Sequence, residues 1–403
     1  MIDRFTLVFM VSPMSADITT TITKQAVHII GDGCAALSLA ARADELPQHQ
    51  MTVVRPEGAP ESKDHIWGFW WINGLDRAAN LARKKWHFWS IITPQGNAVM
   101  SSDLHAYHAL QRSKWERNCR QLAKKNGVSF VGHSNLKDSP EAQILDSRPP
   151  VVPINQMFQH FIGWEIKAPL GSFNAKTAIL MDFRCDQSRG IHFIYILPFS
   201  SSKALIESTM FSPKRELDTF FETAIETYLA KHCGVCDFTI MRVEKGGIPL
   251  GRISSNKGLE TGFGGNGEAI RPSSGYAFAF IQKQILATIQ HAKRGGLQAN
   301  TLCPLVVKRP HKLVDLWMDE VFITVLRHRP EVAPELFLRM ANALDGDEFS
   351  LFLSGEAGWL LRLKVVIAMP KFIFIKALVF LLTRQSAQRK DIDLTKPTIT
   401  RGD

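Results

Sequence analysis

A glycine-rich turn near the start of the chain has the residue types that bind phosphate. Residues 26–30 form a short apolar run that predicts a strand, and Gly31-Asp-Gly33-Cys-Ala-Ala36 follows it directly. Apolar residues then recur at helical spacing from Leu37 onwards. In such a strand, turn and helix, Gly31 permits the tight turn, Gly33 lets a pyrophosphate approach the backbone, and Ala36 lets the helix pack closely. The pattern predicts a Rossmann-like dinucleotide-binding unit with phosphates at the helix N-terminus.

The second strand of this unit departs from the usual pattern. Residues 51–54 are apolar and lie at the expected distance. A carboxylate usually ends this strand and binds a ribose hydroxyl, whereas this chain has Arg55 there and Glu57 as the nearest acid. Either Glu57 reaches back to the ribose, or Arg55 contacts the adenosine side differently. The motif by itself leaves FAD and NAD open.

The elements that must position such a site change in character along the chain. Ser101 or Ser102 is expected to cap a helix that ends near Gly127. Residues 177–184, 191–198 and 203–209 alternate in polarity and predict an antiparallel sheet. Further elements are expected as a helix over 214–230, a strand near 240–244 and a helix over 276–291 that Ser273 or Ser274 caps.

These elements predict an α/β protein in several units. The expected division is a flexible start (1–25), a nucleotide-binding domain (26–150 and 245–300), a substrate-binding antiparallel sheet domain (151–244), a helical C-terminal region (301–390) and a tail (391–403).

Composition restricts the class of protein and partner. Hydrophobic residues make up 45% of the 403 residues, so a large folded core is expected. The 48 Lys and Arg residues against 38 Asp and Glu give a net charge of +10, which favours an anionic partner: nucleic acid, anionic lipid or a phosphorylated ligand. Six cysteines are too few for a disulfide framework, and Cys233-Gly-Val-Cys236 lacks a second ligand pair, so no metal site is predicted.

The C-terminal segment combines apolar and basic residues. Between Trp359 and Lys390 there are seven Lys or Arg residues and no acid, interleaved with Leu, Ile, Val and Phe. This composition is typical of helices that lie in a bilayer interface, and Pro370 is expected to break them in two. The alternative is a buried helix pair with a solvated basic rim. A membrane surface would account for much of the positive charge, so no nucleic-acid partner is predicted.

Nine short strings, read together and in order, carry a family resemblance. They are Gly31-Asp-Gly-Cys-Ala-Ala36, Asp64-His-Ile-Trp67, Asp146-Ser-Arg-Pro149, Gln159-His-Phe-Ile-Gly-Trp-Glu-Ile166, Met181-Asp-Phe-Arg184, Tyr195-Ile-Leu-Pro198, Leu205-Ile-Glu-Ser-Thr209, Gly247-Ile-Pro249 and Arg271-Pro-Ser-Ser-Gly-Tyr276. Over residues 26–375 the chain resembles the bacterial flavin-dependent lycopene cyclases. It departs from them at Arg55 and at Ser208, where many members carry a second acid.

The resemblance implies a fold, a cofactor and a reaction. The fold would be a glutathione-reductase-like FAD-binding domain with an antiparallel-sheet substrate domain and a membrane-associating helical C-terminal part. The reaction would form β-ionone rings on lycopene or another acyclic carotene without net redox change, using reduced FAD that NAD(P)H keeps reduced. Gly275 and Tyr276 would lie near the flavin, and the protein would be peripheral on the cytoplasmic face of a bacterial inner membrane. The choice between β and ε rings, and the oligomeric state, stay open.

That reaction makes a demand on its proton donor. An isolated alkene is a very weak base, so the donor must stay protonated near neutral pH. A carboxyl group among apolar side chains does so, because desolvation raises its pKa. Glu207, at the family's glutamate position, is the predicted catalytic acid; without the resemblance, an outward-facing acid on an alternating strand would be the simpler interpretation. Asp182 is the second candidate, with an ion pair to Arg184 as its alternative.

Aromatic residues and competing functions complete the predictions. Trp67, Trp70 and Trp71 are predicted to bind the substrate, since aromatic faces stabilise carbocations by cation–π attraction; their alternative is ordinary core. A flavin monooxygenase or prenyl reductase would share the fold, and a non-catalytic membrane-associated flavin- or lipid-binding protein is a third possibility.

Overall fold

The computed structural model describes residues 24–61, 63–135, 141–253, 260–295 and 304–394. The predicted flexible start and tail lie outside these ranges except for residues 24–25 and 391–394. The strands are β1 (Gln25–Ile30), β2 (His49–Arg55), β3 (Ile66–Trp70), β4 (Lys84–Trp86), β5 (Phe88–Thr93), β6 (Gly96–Ser101), β7 (Tyr107–Gln111), β8 (Ser129–Gly132), β9 (Gln143–Asp146), β10 (Phe158–Lys167), β11 (Thr177–Asp182), β12 (Ile191–Pro198), β13 (Lys203–Ser212), β14 (Thr239–Pro249) and β15 (Thr261–Gly262). The helices are α1 (Cys34–Ala40), α2 (Asp76–Leu81), α3 (Arg112–Lys125), α4 (Asp218–Tyr228), α5 (Phe278–Gly295), α6 (Leu313–His328), α7 (Ala333–Ala343), α8 (Gly346–Leu353), α9 (Trp359–Ala368) and α10 (Lys371–Leu394).

The first sheet is parallel throughout and contains the chain's first described strand. Its order is β15-β9-β1-β2-β8, and each neighbouring pair runs in the same direction. Helices α1 and α5 cover it with apolar residues that join those of the strands in one buried cluster. Parallel strands need crossover connections, and α1 supplies the one between β1 and β2. The predicted Rossmann-like unit is confirmed.

The second sheet has seven strands in the order β14-β10-β13-β12-β11-β5-β6. Its pairs are antiparallel except β11 with β5, which are parallel, so the predicted antiparallel sheet is in fact mixed. Helix α4 packs against one face through Phe221 and Ile225. A third, smaller sheet has the order β3-β7-β4, and both of its pairs are antiparallel.

Two predicted boundaries and one predicted helix were wrong. Residues 88–101 (β5 and β6) belong to the second sheet and not to the expected nucleotide-binding domain, and β14 extends that sheet to Pro249, beyond the domain boundary expected at 245. The helix expected from Ser101 begins only at Arg112, after β7. Tyr107 to Leu110 are all buried, and a continuous buried run has no period that separates strand from helix.

The C-terminal helices pack on the second sheet and end in a sharp bend. Apolar residues of α6 and α7 share a core cluster with Trp86, Trp89 and Ile91. Helices α9 and α10 meet at 110° with Pro370 in the break, which confirms the predicted interruption. In the described part of the chain no single helix is long and apolar enough to span a membrane, although this bent pair passes that test when its two helices are taken together.

Candidate active site

The first glycine turn is shaped by close packing. Gly31 has a φ of +108°, a conformation that glycine adopts without strain. A Cβ there would lie 2.5 Å from Ser147 Oγ, which itself donates a hydrogen bond to the Ile30 carbonyl. Ser147, which directly follows β9, therefore packs against the turn at Gly31.

Gly33, the second glycine of the turn, has open space around it and an arginine side chain nearby. Among the described residues, a Cβ at Gly33 would find only Arg112 Nη2 within 4 Å, at 3.8 Å. Gly33 is the N-cap of α1, and no side chain from the described part of the chain caps that helix. Uncapped backbone N–H groups and a nearby guanidinium are suited to a pyrophosphate. The residues present therefore fit the phosphates of a dinucleotide, and Ala36, fully buried in α1, packs as predicted.

Arg55 has a partner within the turn. Its Nη1 donates to Asp32 Oδ2 at 2.8 Å, and Arg120 Nη2 lies 3.5 Å from the same oxygen. Glu57 is exposed. The structure thus brings Arg55 to the glycine turn, where it forms an ion pair with Asp32.

A second loop reaches the same edge of the first sheet. Since β15 runs parallel to β9, which in turn runs parallel to β1, the turn after β15 lies at the carboxyl ends of these strands. A Cβ at Gly264 would be 2.4 Å from Ala35 Cβ, so this turn packs directly on α1. Gly275 has a φ of +69°, and a Cβ there would lie 3.1 Å from Gln159 Oε1 and 3.1 Å from Ile248 Cγ2. The loop at Gly275 therefore packs closely on β10 and β14 of the second sheet. Tyr276 therefore stands between the two sheets.

Arg271 anchors that loop. Its guanidinium is buried, lies 3.2 Å from both carboxylate oxygens of Asp319 on α6, and donates to the Phe352 carbonyl. Ser273 Oγ donates to Asp319 at 2.8 Å, so Ser273 is an anchor as well and not the predicted helix cap. Helix α5 begins later, at Phe278.

Glu207 lies in the centre of the second sheet. The paired register places Tyr195, Glu207, Gly163 and Glu244 in one row across β12, β13, β10 and β14. Residues directly opposite each other point to the same face. Glu207 forms no hydrogen bond or ion pair within the described ranges, although part of its surface stays accessible.

Three of the chain's four tyrosines converge on this face. Tyr107 Oη lies 3.0 Å from Tyr195 Oη, and Tyr276 interacts with Tyr107. Burial raises the pKa of each of the three well above its ordinary value, so all three stay neutral. Tyr195, Tyr276 and Glu207 each keep part of their surface accessible.

The environment of Glu207 favours its protonated form. Burial raises the pKa of Glu207 well above the ordinary carboxyl value, and the nearby carboxyl of Glu244 raises it further, while Arg242 lowers it. A carboxylic acid kept neutral beside hydroxyl groups can act as a proton donor. The arrangement can therefore protonate a weakly basic ligand.

The sequence of this chain matches a known family. The profile described as "Lycopene cyclase protein" matches residues 26–356, which is most of the chain. The chain belongs to the lycopene cyclase family.

Two curated relatives of this lycopene cyclase family member are lycopene β-cyclases. That of Pantoea ananas is 24% identical over 254 residues, covering 56% of this chain and 60% of the relative. That of Paracoccus sp. (strain N81106 / MBIC 01143) is 35% identical over 95 residues, covering 23% of this chain and 24% of the relative. Each match thus spans less than two thirds of the relative's length.

Solved structures share the fold at low identity. A geranylgeranyl bacteriochlorophyll reductase-like protein from Thermoplasma acidophilum superposes with a TM-score of 0.53 at 13% identity, covering 88% of this chain and 98% of that one. A flavin-dependent halogenase from Xanthomonas campestris gives a TM-score of 0.51 at 13% identity, covering 91% of this chain and 96% of that one. This lycopene cyclase family member therefore has the α/β fold of FAD-dependent oxidoreductases: a Rossmann-like parallel sheet, a mixed sheet and C-terminal helices.

Asp182 is not part of the site around Glu207. Asp182 pairs with Ile194, which in turn pairs with Ser208. Ser208 follows Glu207 on β13, and neighbouring residues of a strand point to opposite faces, so Asp182 lies on the face opposite Glu207. There it is fully buried, forms an ion pair with Arg184 at 2.7 Å and accepts a hydrogen bond from Tyr228 of α4. The second-acid role predicted for Asp182 is therefore replaced by its alternative, a structural ion pair.

The predicted tryptophans are divided between two environments. Trp70 is buried against Tyr107 and Tyr276, with ring centroids 4.7 and 5.4 Å away, and so adjoins the tyrosines beside Glu207. Trp67 stacks on Phe278 of α5. Trp71 points away, stacks on His105 and donates from Nε1 to Asp76. Only Trp70 is brought to the site.

Sequence reasoning missed Glu244, Arg242, Arg112 and two of the tyrosines. Glu244 carried one usable signal, its position three residues before the Gly247-Ile-Pro249 string. Tyr195 begins a family string, but nothing local linked it to Tyr107 far earlier in the chain.

Among the described residues no group of three or more His, Cys, Asp or Glu side chains has metal-binding geometry, Cys233 and Cys236 included.

Proposed function

We propose that this protein forms β-ionone rings at the ends of lycopene or a related acyclic carotene, with Glu207 as the acid. The observation that carries the proposal is Glu207 itself, a carboxyl group that has no hydrogen-bond or ion-pair partner among the described residues and whose pKa is raised by burial, beside three neutral tyrosines. The family and the two curated relatives support the substrate class.

The chemistry follows from that carboxyl group. Glu207 gives its proton to the terminal C1=C2 double bond, which leaves a tertiary cation at C1. The C5=C6 π-electrons then form the C1–C6 bond, which leaves the cation at C5. The C6 proton passes to the carboxylate that Glu207 has become, and the C6–H electrons form the ring double bond between C5 and C6. Product and substrate have the same mass. The faces of Trp70 and the nearby tyrosines can stabilise such a cation, and the Glu244 carboxylate is held by Arg242.

The glycine turns fit FAD. Gly31, Gly33 and Ala36 would hold its pyrophosphate with Arg112, and the loop around Gly275 and Tyr276 would face the gap between the sheets. When bound, reduced FAD would supply electron density that stabilises the cation. NAD(P)H as the external reductant is part of the same proposal.

The C-terminal helices are proposed to rest on the cytoplasmic face of a bacterial membrane, from which the carotene is taken. Arg362 ties α9 to Asp315 of α6 at 2.7 Å, so α9 is held against the body of the protein. Its outer side is apolar: Leu360 is 85% exposed and Ile367 64%. Lys364, Lys371 and Lys376 are exposed in the same two helices, which suits anionic headgroups. Helices α9 and α10 lie beyond the family match.

Expression in a lycopene-accumulating host tests the proposal. We expect a shift from red to orange or yellow pigment with products of unchanged mass, and loss of the shift for Glu207→Gln. A product heavier by oxygen or by hydrogens would indicate a monooxygenase or reductase instead. Lycopene that accumulates unchanged with flavin-loaded wild-type protein would refute the proposal.

A stability measurement controls for misfolding of Glu207→Gln. Because the folded-state pKa of Glu207 is raised above its ordinary 4.5, wild-type protein loses stability as pH rises from 4.5 through that raised value. Glutamine does not ionise. The variant should therefore unfold at a denaturant concentration equal to or above that of wild type at neutral pH, although its activity is lost.

A further inference from the structure

Two carboxyl groups flank one glycine in the middle of the second sheet. Gly163 of β10 is opposite Glu207 on one side and Glu244 on the other. A Cβ at Gly163 would lie 2.6 Å from Glu207 Cγ and 3.2 Å from Glu244 Cγ. The side chains of Glu207 and Glu244 therefore both pack against Gly163, and the space between them is too small for a methyl group. Only a residue without a side chain leaves room for both.

The two carboxyl groups have different surroundings. Glu244 is buried, and its Oε2 accepts hydrogen bonds from the Ile66 N–H at 3.1 Å and from Arg242 Nη1 at 2.9 Å. Glu207 has neither kind of partner within the described ranges. Burial raises the pKa of Glu244 to about 7, with Arg242 and the Ile66 N–H limiting the rise. Hydrogen bonds to the charged form favour it, so a single shared proton belongs on Glu207.

We propose that Glu244 is a positioning residue, whose carboxylate is fixed by Arg242 and the Ile66 N–H and keeps the acidic proton on Glu207 across Gly163. Glu244 makes and breaks no bond itself. The inference rests on the proposed function, because it assigns Glu244 a role in supplying the proton for ring formation.

The charge at Glu207 is set by few groups. Those that face it from the surrounding elements are Glu244 and Arg242 of β14, Tyr195 of β12, Tyr107 of β7 and Tyr276 before α5. The tyrosines are neutral, so Glu244 and Arg242 are the charged groups that act on Glu207 most strongly. Glu165, two residues from Gly163 on the same face of β10, is paired with Arg83 at 2.5 Å and with Arg242 at 3.3 Å. Asp64 faces Glu244 and raises its pKa in turn.

The variant Glu244→Gln tests the role through the pH dependence of kcat/KM. Activity requires protonated Glu207 and falls as pH rises through the pKa of that group. Glu244→Gln removes the repelling carboxylate and leaves Arg242 facing Glu207, so the pKa of Glu207 falls. We expect the alkaline limb to move to lower pH by about 1–2 units, the size of a charge interaction between neighbouring side chains.

Infrared titration gives a readout without turnover. The carbonyl band of a protonated carboxyl group, assigned to Glu207 by its absence in Glu207→Gln, should vanish at lower pH in Glu244→Gln than in wild type.

The variant Arg242→Gln removes the opposing charge and should move both the infrared band and the alkaline limb to higher pH. This keeps the test decisive if Glu244→Gln does not fold. Asp182→Asn, at a buried carboxylate on the other face of the same sheet, is the matched control and should leave both unchanged.

An unchanged limb and band in Glu244→Gln, or a shift to lower pH in Arg242→Gln, would overturn the inference. Failure of the proposed function looks different: wild-type protein would then convert no carotene, while the infrared titration would still report whether Glu244 controls the proton on Glu207.

Discussion

The change Gly163→Ala probes the geometry on which the acid depends. Gly163 has no unusual backbone conformation within the described chain, so alanine is acceptable to the backbone and the cost comes from contact alone. The new methyl group would lie 2.6 Å from Glu207 Cγ, whereas ordinary contact begins near 3.4 Å, and Glu244 Cγ at 3.2 Å blocks retreat to the other side. Glu207 must therefore move by roughly 1 Å, at a cost of about 1–3 kcal/mol in unfolding free energy.

Such a displacement should affect the reaction far more than the fold. A misplacement of about 1 Å costs on the order of 10²-fold in rate, so kcat/KM for lycopene presented in liposomes should fall by about that factor. Gly246→Ala is the matched control, since its Cβ would be 2.9 Å from the Phe161 ring and no carboxyl group is displaced. The assay is product quantification by chromatography, with thermal unfolding of both variants in parallel. Wild-type kcat/KM in Gly163→Ala would refute the reasoning.

Two further predictions concern stability and membranes. Asp182→Asn breaks a pair in which Asp182 is fully buried but Arg184 is 37% exposed, so we expect a loss of about 3 kcal/mol, the lower end for buried pairs, in urea unfolding; wild-type stability would contradict the structural role now given to Asp182. Leu363→Asp combined with Ile367→Asp on the outer side of α9 should weaken flotation with anionic vesicles by roughly 10²-fold. Leu170→Asp, at an 86% exposed leucine in the second sheet's loops, is its control, and equal flotation of the two variants would exclude α9 as the membrane contact.

Local patterns predicted those parts of the fold that local interactions determine. The β1 turn and α1 follow from glycine spacing, and three strands of the second sheet lie within a few residues of their predicted bounds. Burial alternates along β11, whereas β12 and β13 are buried on both faces. The predicted helix at 101–127 failed where burial on both faces of β7 removed the alternation.

The candidate active site depends on register between distant strands, which no local pattern encodes. Glu207 and Glu244 are neighbours only because β10 lies between their strands, and β10 precedes both in the chain. The same register assigns Asp182 to the other face, a distinction that a one-residue shift would reverse. The resemblance supplied Glu207, but its partners required the strand order.

The Arg271 anchor has a consequence for how this protein can be divided. A guanidinium buried between Asp319 and the Phe352 carbonyl ties the loop that carries Tyr276 to two C-terminal helices. Removing those helices would leave a permanent charge without partners in an apolar interior and release the tyrosine from its place between the sheets. A chimaera that exchanges the C-terminal helices of two such proteins must therefore exchange both ends of this link together.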